Sequence, residues 1–322
     1  MGALWGIIMN ESLNKILSSL SQRLSPLYSE YQTQLQHAWW LLEHVTGLSR
    51  LQLLCAVSLD YDDILKKLDL LILEHVDNHK PLAYIIGSIP FCGTTILVEP
   101  PLLIPRMETE EWVEILIDQL IAAQELLTNP LSILDLCSGS GCIAVALARA
   151  FPQAHITALD IEPRAIELIK KNINYNNISN ITLIQSDLFG ALERYQQFDL
   201  IVSNPPYITT DEYQQLDKSV KDWEDPKALF ADDEGLALIK KIVTQAPAYI
   251  RCNAVLKEYA IPQIIMEIGH TQANVVKAMM NGAGYSDVYV QKDFAEKDRT
   301  VMGRIDYAEN QKTTSNVQRG SL

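Results

Sequence analysis

The feature that most constrains the fold of this 322-residue chain is an alternation of strand-like and helical segments beyond residue 130. Most of the strand-like runs are separated by helical patterns such as GCIAVALARAF and PRAIELIKKNINYN. Alternation of this kind predicts an α/β fold with a mostly parallel sheet that helices cover on both faces. Seven short apolar runs are typical of its strands: SILDL, HITALD, ITLIQ, FDLIVS, QIIMEI, YSDVYVQ and RTVMGRI.

The chain before this alternation has two different textures. From about residue 10 to residue 80, apolar residues recur at helical spacing without a strand signal, which predicts a small helical bundle. Residues 81–105 are rich in proline, glycine and β-branched residues, which favours a β-hairpin or an extended connector. We therefore expect a helical domain over 1–80, a hairpin connector over 81–105, an α/β domain over 106–308 and a disordered tail over 309–322.

Composition excludes several classes of protein. Apolar runs end well before the ~20 residues of a membrane span, and the apolar start MGALWGIIMN lacks the positive charges of a secretion signal. We expect residues 1–8 to be a disordered lead-in before a start at Met9. Five cysteines in no disulfide or metal spacing fit a reducing cytoplasm and no bound metal. The net charge of −14 argues against broad nucleic-acid binding and suits a basic protein partner.

A glycine loop follows the first strand of the alternation, in DLCSGSGCIA. Gly139 and Gly141 allow a tight turn and close approach of a ligand, and the following helix begins with free N–H groups. The segment matches the dinucleotide pattern G-x-G-x-x-A, with Asp160 about where a ribose ligand is expected. The same geometry also suits S-adenosylmethionine, so the loop alone fits either ligand.

Three further features favour S-adenosylmethionine. Asp135 ends a strand, where its carboxylate can meet a cationic amine that no pyrophosphate site would need. Asp187 follows the third strand and could accept a hydrogen bond from an adenine amino group. Each acid has an alternative role, as a helix cap for Asp135 and Asp187 or as a solvated strand end for Asp160. Because ligands in open α/β sheets bind at the carboxyl ends of strands, the features together predict a donor site.

The third feature is NPPY, residues 204–207, which ends the fourth strand and has no role in hydride transfer. An amide nitrogen is a poor nucleophile because its lone pair is delocalised, with a rotation barrier of ~18–20 kcal/mol. The Asn204 side-chain oxygen and the Pro205 carbonyl can accept hydrogen bonds from both N–H groups of such a nitrogen. The ring of Tyr207 can form a wall beside it. This predicts methyl transfer to a planar nitrogen without a strong base; an ordinary proline-rich loop is the alternative.

The chain resembles the class I methyltransferases that modify the glutamine side-chain nitrogen of peptide-chain release factors. The resemblance spans nearly the whole chain, including the helical N-terminal region. Its most specific part, PRMETE, favours the release-factor branch over the ribosomal-protein glutamine methyltransferases, which also carry NPPY. The motifs that carry it are PLAYIIG, FCG, LLIPRMETEEWVE, DLCSGSGCIAVALA, SDLF, IVSNPPYI, EDPKALFA, MEIGHTQ and KDFAEKDRTVMGR.

This resemblance implies a Rossmann-like seven-stranded domain that uses S-adenosylmethionine to methylate the glutamine of a Gly-Gly-Gln motif. It further implies that the helical domain recognises the release factor. Because the chain lacks transit-peptide character, a membrane span and a basic surface, we also expect a cytoplasmic monomer without nucleic-acid or membrane partners. The target glutamine would be held by Asn204, Pro205, Pro206 and Tyr207. The donor site would be lined by Cys137, Ser138, Gly139, Ser140, Gly141, Asp160, Leu188 and Asn204. Cys137 departs from the family's usual glycine, and Leu188 from the tryptophan of some members.

Three other functions compete with this interpretation. A DNA adenine methyltransferase uses the same motif but must flip a base from the duplex, and the chain shows no basic region for it. An NAD-dependent oxidoreductase would need an acid or base such as His155 or His270, whose positions suggest surface and turn residues. A non-enzymatic binding module would have a damaged donor site, whereas Asp135, Gly139 and Asp160 are intact.

Overall fold

The computed structural model of the chain describes residues 11–56, 59–193 and 195–305. The expected lead-in over residues 1–8 and the expected disordered tail over 309–322 lie outside the described residues. Among the helices described, none combines the length and the apolar character needed to cross a bilayer.

Helices and strands follow one another largely as the sequence predicts. The helices are α1 Glu11–Leu24, α2 Tyr31–Thr46, α3 Arg50–Cys55, α4 Tyr61–Val76, α5 Leu82–Ile86, α6 Met107–Ala123, α7 Cys142–Ala150, α8 Pro163–Tyr175, α9 Thr210–Gln215, α10 Lys218–Lys221, α11 Pro226–Leu229, α12 Ala237–Gln245, α13 Ala254–Glu258 and α14 Ala273–Gly282. The strands are β1 Ser88–Phe91, β2 Thr94–Leu97, β3 Ser132–Leu136, β4 His155–Asp160, β5 Ile181–Gln185, β6 Leu200–Ser203, β7 Ile264–Glu267, β8 Tyr285–Lys292 and β9 Asp298–Ile305.

One compact unit is helical and comprises the described chain up to Gly87 together with Lys218–Trp223. Its helix boundaries follow local signals: Ser49 forms a capping box with Gln52, and the Asp60 carboxylate accepts from the Asp63 amide. The core of the unit is mostly leucine, with Leu13, Leu20, Leu24, Leu41, Leu42, Leu53 and Leu68 almost fully buried. The expected bundle of amphipathic helices is therefore present, while the four-part division of the chain stays a prediction.

The segment expected to be a hairpin connector contains both a helix and a hairpin. Strands β1 and β2 pair antiparallel, with Phe91 opposite Thr94, and both turn residues have positive φ. The sequence did not predict α5, which precedes them, because a five-residue apolar run cannot be distinguished from a strand by its periodicity. Its end at Gly87, with φ of 82°, is an ordinary glycine stop.

The second unit, Ser88–Asp217 with Glu224 onward, contains a seven-stranded sheet in the order β5-β4-β3-β6-β7-β9-β8. The first five strands of that order are parallel, and β9 runs antiparallel to both of its neighbours. This confirms the predicted mostly parallel sheet. The chain winds outward from β3 through β4 to β5 and then returns to β6 on the other side of β3. The switch point for ligand binding therefore lies between β3 and β6.

The region after β6, expected as a polar loop, contains the short helices α9 and α11, and a third, α13, follows further along the chain. Each begins with a side-chain cap: Thr209 with Glu212, then Asp225, then Asn253. Helices of four to six residues are too short to show a helical period, so only their caps could have predicted them.

Candidate functional site

A cavity of about 340 Å³ opens at the carboxyl edge of the sheet, beside the switch point. Leu136 of β3 lies opposite Ser203 of β6, so the glycine loop and NPPY begin at the same level on adjacent strands. Seven predicted site residues line the cavity: Cys137, Gly139, Asp160, Asp187, Leu188, Asn204 and Pro206. Six do not line it: Asp135, Ser138, Ser140, Gly141, Pro205 and Tyr207.

The glycine loop turns through three left-handed residues, Cys137, Gly139 and Gly141, with φ of 59°, 56° and 78°. A Cβ on Gly141 would lie 2.9 Å from Ile169 Cγ2 of α8, so this glycine permits the close approach of two helices. Cys137 makes the same kind of turn with a side chain present, which costs roughly 1–2 kcal/mol. Cys137 therefore makes the left-handed turn of the loop although it carries a side chain.

The two serines of the loop hold its backbone in shape. The Ser138 hydroxyl donates to the Asp135 carbonyl at 2.9 Å, and the Ser140 carbonyl accepts from Asn172 Nδ2 at 2.9 Å. Asn172 is fully buried in α8 and also bonds both backbone groups of Leu97. The serines thus shape the site from behind the cavity wall.

Asp160 and Asp187 present carboxylates at neighbouring strand ends. Asp160 accepts from the Gly139 amide at 2.8 Å and the Glu162 amide at 2.9 Å, which ties β4 to the glycine loop. Burial raises the pKa of Asp160, and these two amides oppose the rise. Asp187 is exposed, and its carboxylate makes no cap bond to the turn that follows it. Both acids line the cavity together with the buried apolar side chain of Leu188, and this combination fits the ribose and adenine of a nucleoside.

Asp135 is fully buried, and its Oδ2 accepts from the Ala144 amide of α7 at 3.2 Å. Its Oδ1 has no hydrogen-bond partner among the described residues. The carboxylate therefore anchors the helix after the glycine loop, while one buried oxygen remains available to a donor group. An orphaned carboxylate oxygen behind this loop is consistent with a ligand that carries an amine.

Replacing Asp135 with asparagine is expected to flatten the dependence of folding stability on pH. Burial raises the pKa of Asp135 to about 7, above its unfolded value of about 3.9. The stabilisation from holding this proton is full below pH 4 and is lost as pH rises through 7, on the order of 2 kcal/mol between pH 5 and 8. Denaturant titrations at both pH values should show a smaller decrease for Asp135→Asn than for the wild type. Equal decreases in the free energy of unfolding of the two proteins would contradict this role of Asp135.

The NPPY corner presents two acceptors that no described residue uses. Asn204 Nδ2 donates to Thr109 Oγ1 at 3.1 Å, whereas neither Asn204 Oδ1 nor the Pro205 carbonyl receives a hydrogen bond from the described part of the chain. Pro205 is buried and Asn204 is half-buried at the cavity. Both oxygens of the corner are therefore without a donor in the described part of the chain, and their role as an acceptor pair stays a prediction.

Tyr207 is held at both its ends. Its hydroxyl donates to Glu267 Oε1 at 3.1 Å, and its carbonyl accepts from Gln272 Nε2 at 3.0 Å. Gln272 also donates to the Glu234 carbonyl at 3.1 Å, so one amide joins NPPY to the loop before α12. Burial raises the pKa of the Tyr207 hydroxyl, and the adjacent Glu267 carboxylate raises it further.

A buried carboxylate behind NPPY was missed by the sequence reasoning. Glu267, 1% exposed, accepts from Thr109 Oγ1 at 2.7 Å and from Trp112 Nε1 at 3.0 Å in addition to Tyr207. Arg299 lies 3.5 Å from the Tyr207 hydroxyl. These residues come from PRMETEEW, MEIGHTQ and KDFAEKDRT, segments that carried the family resemblance without an assigned role. The resemblance of these segments to the family was the signal in the sequence that could have identified these residues.

The apolar and charged lining contributed by other segments was also missed. The residues concerned are Leu102, Leu103, Leu159, Ile161, Glu162, Ala165, Ser186, Asp225, Lys227, Ala228 and Leu238. Two of these lining residues form an ion pair, with Lys227 Nζ 3.3 Å from Glu162 Oε1. Asp225, Lys227 and Ala228 belong to EDPKALFA, another segment quoted only for the resemblance.

The sheet order, the glycine loop and the strand-end acids define a methyltransferase domain, and comparison with known proteins agrees. Residues 113–220 match the Methyltransferase small domain family, and residues 15–87 match the PrmC N-terminal domain family. The first match, together with the relatives described next, shows the expected enzyme class, a methyltransferase, with S-adenosylmethionine as its methyl donor.

Curated relatives resolve the family. The chain is 35% identical over 270 residues to the release factor glutamine methyltransferase of Geobacter sulfurreducens, covering 83% of this chain and 88% of the relative. It is 31% identical over 284 residues to the release factor glutamine methyltransferase of Thermodesulfovibrio yellowstonii, and this match covers 87% of this chain and 96% of the relative. A relative from Fusobacterium nucleatum is 36% identical over 225 residues, and the match spans 70% of this chain and 60% of that protein. The chain belongs to the release factor glutamine methyltransferase family.

Proposed function

We propose that this protein transfers a methyl group from S-adenosylmethionine to the side-chain nitrogen, N5, of the glutamine in a Gly-Gly-Gln motif of peptide-chain release factors. The observation that carries the proposal is the free acceptor pair of NPPY, Asn204 Oδ1 and the Pro205 carbonyl, next to a cavity of about 340 Å³ that Asn204 and Pro206 line. The relatives named for this activity, which align over most of the chain, support the substrate.

The donor fits the cavity by the chemistry of its lining. Asp160 would offer a carboxylate to the ribose hydroxyls, Asp187 would accept from the adenine amino group, and Leu188 would give the base an apolar contact. Burial raises the pKa of Asp135 to about 7, and the positive charge of the donor's amine would favour its ionised form, with the unpartnered Oδ1 available to that amine. When bound, S-adenosylmethionine supplies an electrophilic methyl group on a sulfonium. The residues of this chain bind the donor and orient the acceptor nitrogen.

The chain's own residues prepare the acceptor nitrogen. Asn204 Oδ1 and the Pro205 carbonyl accept hydrogen bonds from its two N–H groups. These hydrogen bonds oppose the planar, delocalised form of the amide, whose C–N rotation barrier is ~18–20 kcal/mol. Two consecutive prolines fix the direction of the Pro205 carbonyl, so no reorganisation is needed on binding. The N–C bond to the methyl group would form as the donor's S–C bond breaks to leave a neutral thioether, and the nitrogen would then release one proton to water. Both proposed acceptors are neutral groups, so they orient the nitrogen and do not serve as its base.

The helical unit is the proposed recognition element for the release factor. It exposes large apolar side chains, including Leu51, Leu70 and Leu73, which are 72%, 67% and 53% exposed. The charge of −14 favours a basic partner and disfavours a duplex. We further propose a monomer that works in the cytoplasm without nucleic acid or membrane.

The test is incubation of the purified chain with methyl-labelled S-adenosylmethionine and one acceptor at a time. Label should enter a release factor with Gly-Gly-Gln and be absent from the same factor carrying Gly-Gly-Asn, which is one methylene shorter. Ribosomal protein and duplex DNA are the competing acceptors. Label confined to either of these, or absent from all, would overturn the proposal.

A further inference from the structure

We infer that Thr109 and Glu267 are positioning residues that fix the side-chain amide of Asn204 with its oxygen toward the acceptor nitrogen. This inference rests on the proposed function for its chemical purpose. Neither residue lines the cavity. They lie 95 and 63 residues from Asn204 along the chain, on α6 and β7, and meet it only in the fold.

The amide of an asparagine has two ends of nearly equal size and opposite hydrogen-bonding character. Its oxygen accepts and its NH₂ donates, and a rotation of 180° about the last bond exchanges them. Packing alone therefore cannot keep the oxygen toward a substrate N–H. If the Asn204 amide were rotated by 180°, its NH₂ would face the N–H groups of the substrate, from which it cannot accept a hydrogen bond. The Pro205 carbonyl would then be the one acceptor left in the corner.

The hydrogen bonds behind Asn204 remove this ambiguity. Glu267 is 1% exposed, and its carboxylate, when ionised, only accepts. Trp112 Nε1 can only donate, and does so to Glu267 Oε2 at 3.0 Å. The Thr109 hydroxyl has one proton, which it gives to the same oxygen at 2.7 Å. Thr109 therefore has only lone pairs left to offer Asn204.

The orientation of Asn204 follows from this proton count. Thr109 Oγ1 and Asn204 Nδ2 are 3.1 Å apart, and with the threonine proton already donated, the asparagine must be the donor. Its Oδ1 then points away from Thr109 and stays free of described donors. The Glu267 charge thus acts on Asn204 through one hydroxyl, while the other carboxylate oxygen holds Tyr207 at 3.1 Å.

The hydrogen-bond geometry around Glu267 is that of an ionised, acceptor-only carboxylate. Burial is the largest influence and raises the pKa of Glu267 above its ordinary value, while the hydrogen bonds from Thr109 and Trp112 and the charge of Arg299 oppose part of that rise. Three donors converge on the two oxygens of Glu267, a number that a carboxylate accommodates and a protonated acid, which must itself donate, accommodates less well.

The matched variants are Thr109→Val and Thr109→Ser. Valine keeps the shape of threonine but removes the hydroxyl, while serine keeps the hydroxyl and loses the methyl group. In protein labelled with ¹⁵N at asparagine, the NMR signal of the Asn204 side-chain amide is the one missing from Asn204→Ala. The hydrogens of this NH₂ should exchange with water at least about tenfold faster in Thr109→Val than in the wild type. Thr109→Ser should retain the slow exchange.

Kinetics provide the second readout. We expect Thr109→Val to lower kcat on a Gly-Gly-Gln release factor by about a hundredfold, with the KM of the factor and the Kd of S-adenosylmethionine within about threefold of wild type. Thr109→Ser should keep kcat within about threefold. In the Asn204→Ala background, Thr109→Val should cause no further loss, because the hydroxyl acts only through that amide.

The outcomes separate this inference from the proposed function. Equal exchange rates in the valine and serine variants, or equal losses of kcat, would overturn the positioning role even if the wild type methylates release factors. Additive losses in the double variant would do the same. Slow exchange that depends on the Thr109 hydroxyl, in a protein that labels no Gly-Gly-Gln factor, would support the positioning role and contradict the proposed substrate alone.

Discussion

Replacing Asn204 with alanine lowers kcat for methylation of a Gly-Gly-Gln substrate by roughly 10²–10³-fold, the expected loss for one preorganised group at a reacting centre. The alanine removes Oδ1, one of the two acceptors in the corner, and leaves the Pro205 carbonyl to hold the nitrogen alone. The donor pocket keeps Asp160, Asp187 and Leu188, so the Kd of S-adenosylmethionine should stay within about threefold. Single-turnover methylation and equilibrium binding of the donor measure the two quantities separately.

A matched control for this prediction is Asn129→Ala. Asn129 is exposed in the loop before β3, so the same chemical change there should leave kcat unaffected. Near-normal turnover by Asn204→Ala would refute the role of the corner. A variant that loses donor binding as much as turnover would assign Asn204 to the donor site instead.

Replacing Gly235 with alanine should destabilise the protein by roughly 3–5 kcal/mol, at the upper end of single substitutions. Gly235 has φ of 78°, and a Cβ there would lie 2.0 Å from the Tyr207 carbonyl oxygen and 2.6 Å from Gln272 Nε2. Neither contact is tolerable, so the loop before α12 or the end of NPPY must move. Because Tyr207 is part of the corner, turnover of the surviving folded protein should fall as well.

Gly93→Ala separates the clash from the backbone conformation. Gly93 has a similar φ of 70°, but a Cβ there would meet nothing within 4 Å. Its cost is limited to the left-handed conformation, roughly 1–2 kcal/mol. Denaturant titrations of both variants give the comparison. Equal losses of free energy would show that the close approach of Gly235 to Tyr207 does not limit stability.

Several features of the site were predictable because their physical causes are local. The turn of the glycine loop depends on positive φ at Gly139 and Gly141, which the sequence signals directly. The rigidity of the corner depends on two adjacent proline rings. Helix starts at Ser49 and Asp60 depend on side chains within three residues of the backbone groups they cap. Such features can be identified before the fold is known.

Other features could not be assigned because they depend on contacts between distant segments. Asp135 has the sequence position of a ligand-binding acid, but the fold buries it completely and bonds it to Ala144, with one oxygen left unpartnered. Helix α5 had the composition of a strand. Strand order, which brings β3 beside β6, is set by how the helices between them cross the sheet.

The sequence alone determined that this chain forms a mostly parallel sheet with a glycine loop and a stiff Asn-Pro corner at its edge, because periodicity and the backbone limits of glycine and proline act within a few residues. Only the tertiary structure decided which way the amide of Asn204 faces. That choice depends on Thr109 of α6, which contacts Asn204, and on Glu267 of β7, which acts on Asn204 through Thr109. The hydrogen bonds that Thr109, Trp112 and Tyr207 donate hold Glu267 as an acceptor, and no pattern in the sequence records that environment.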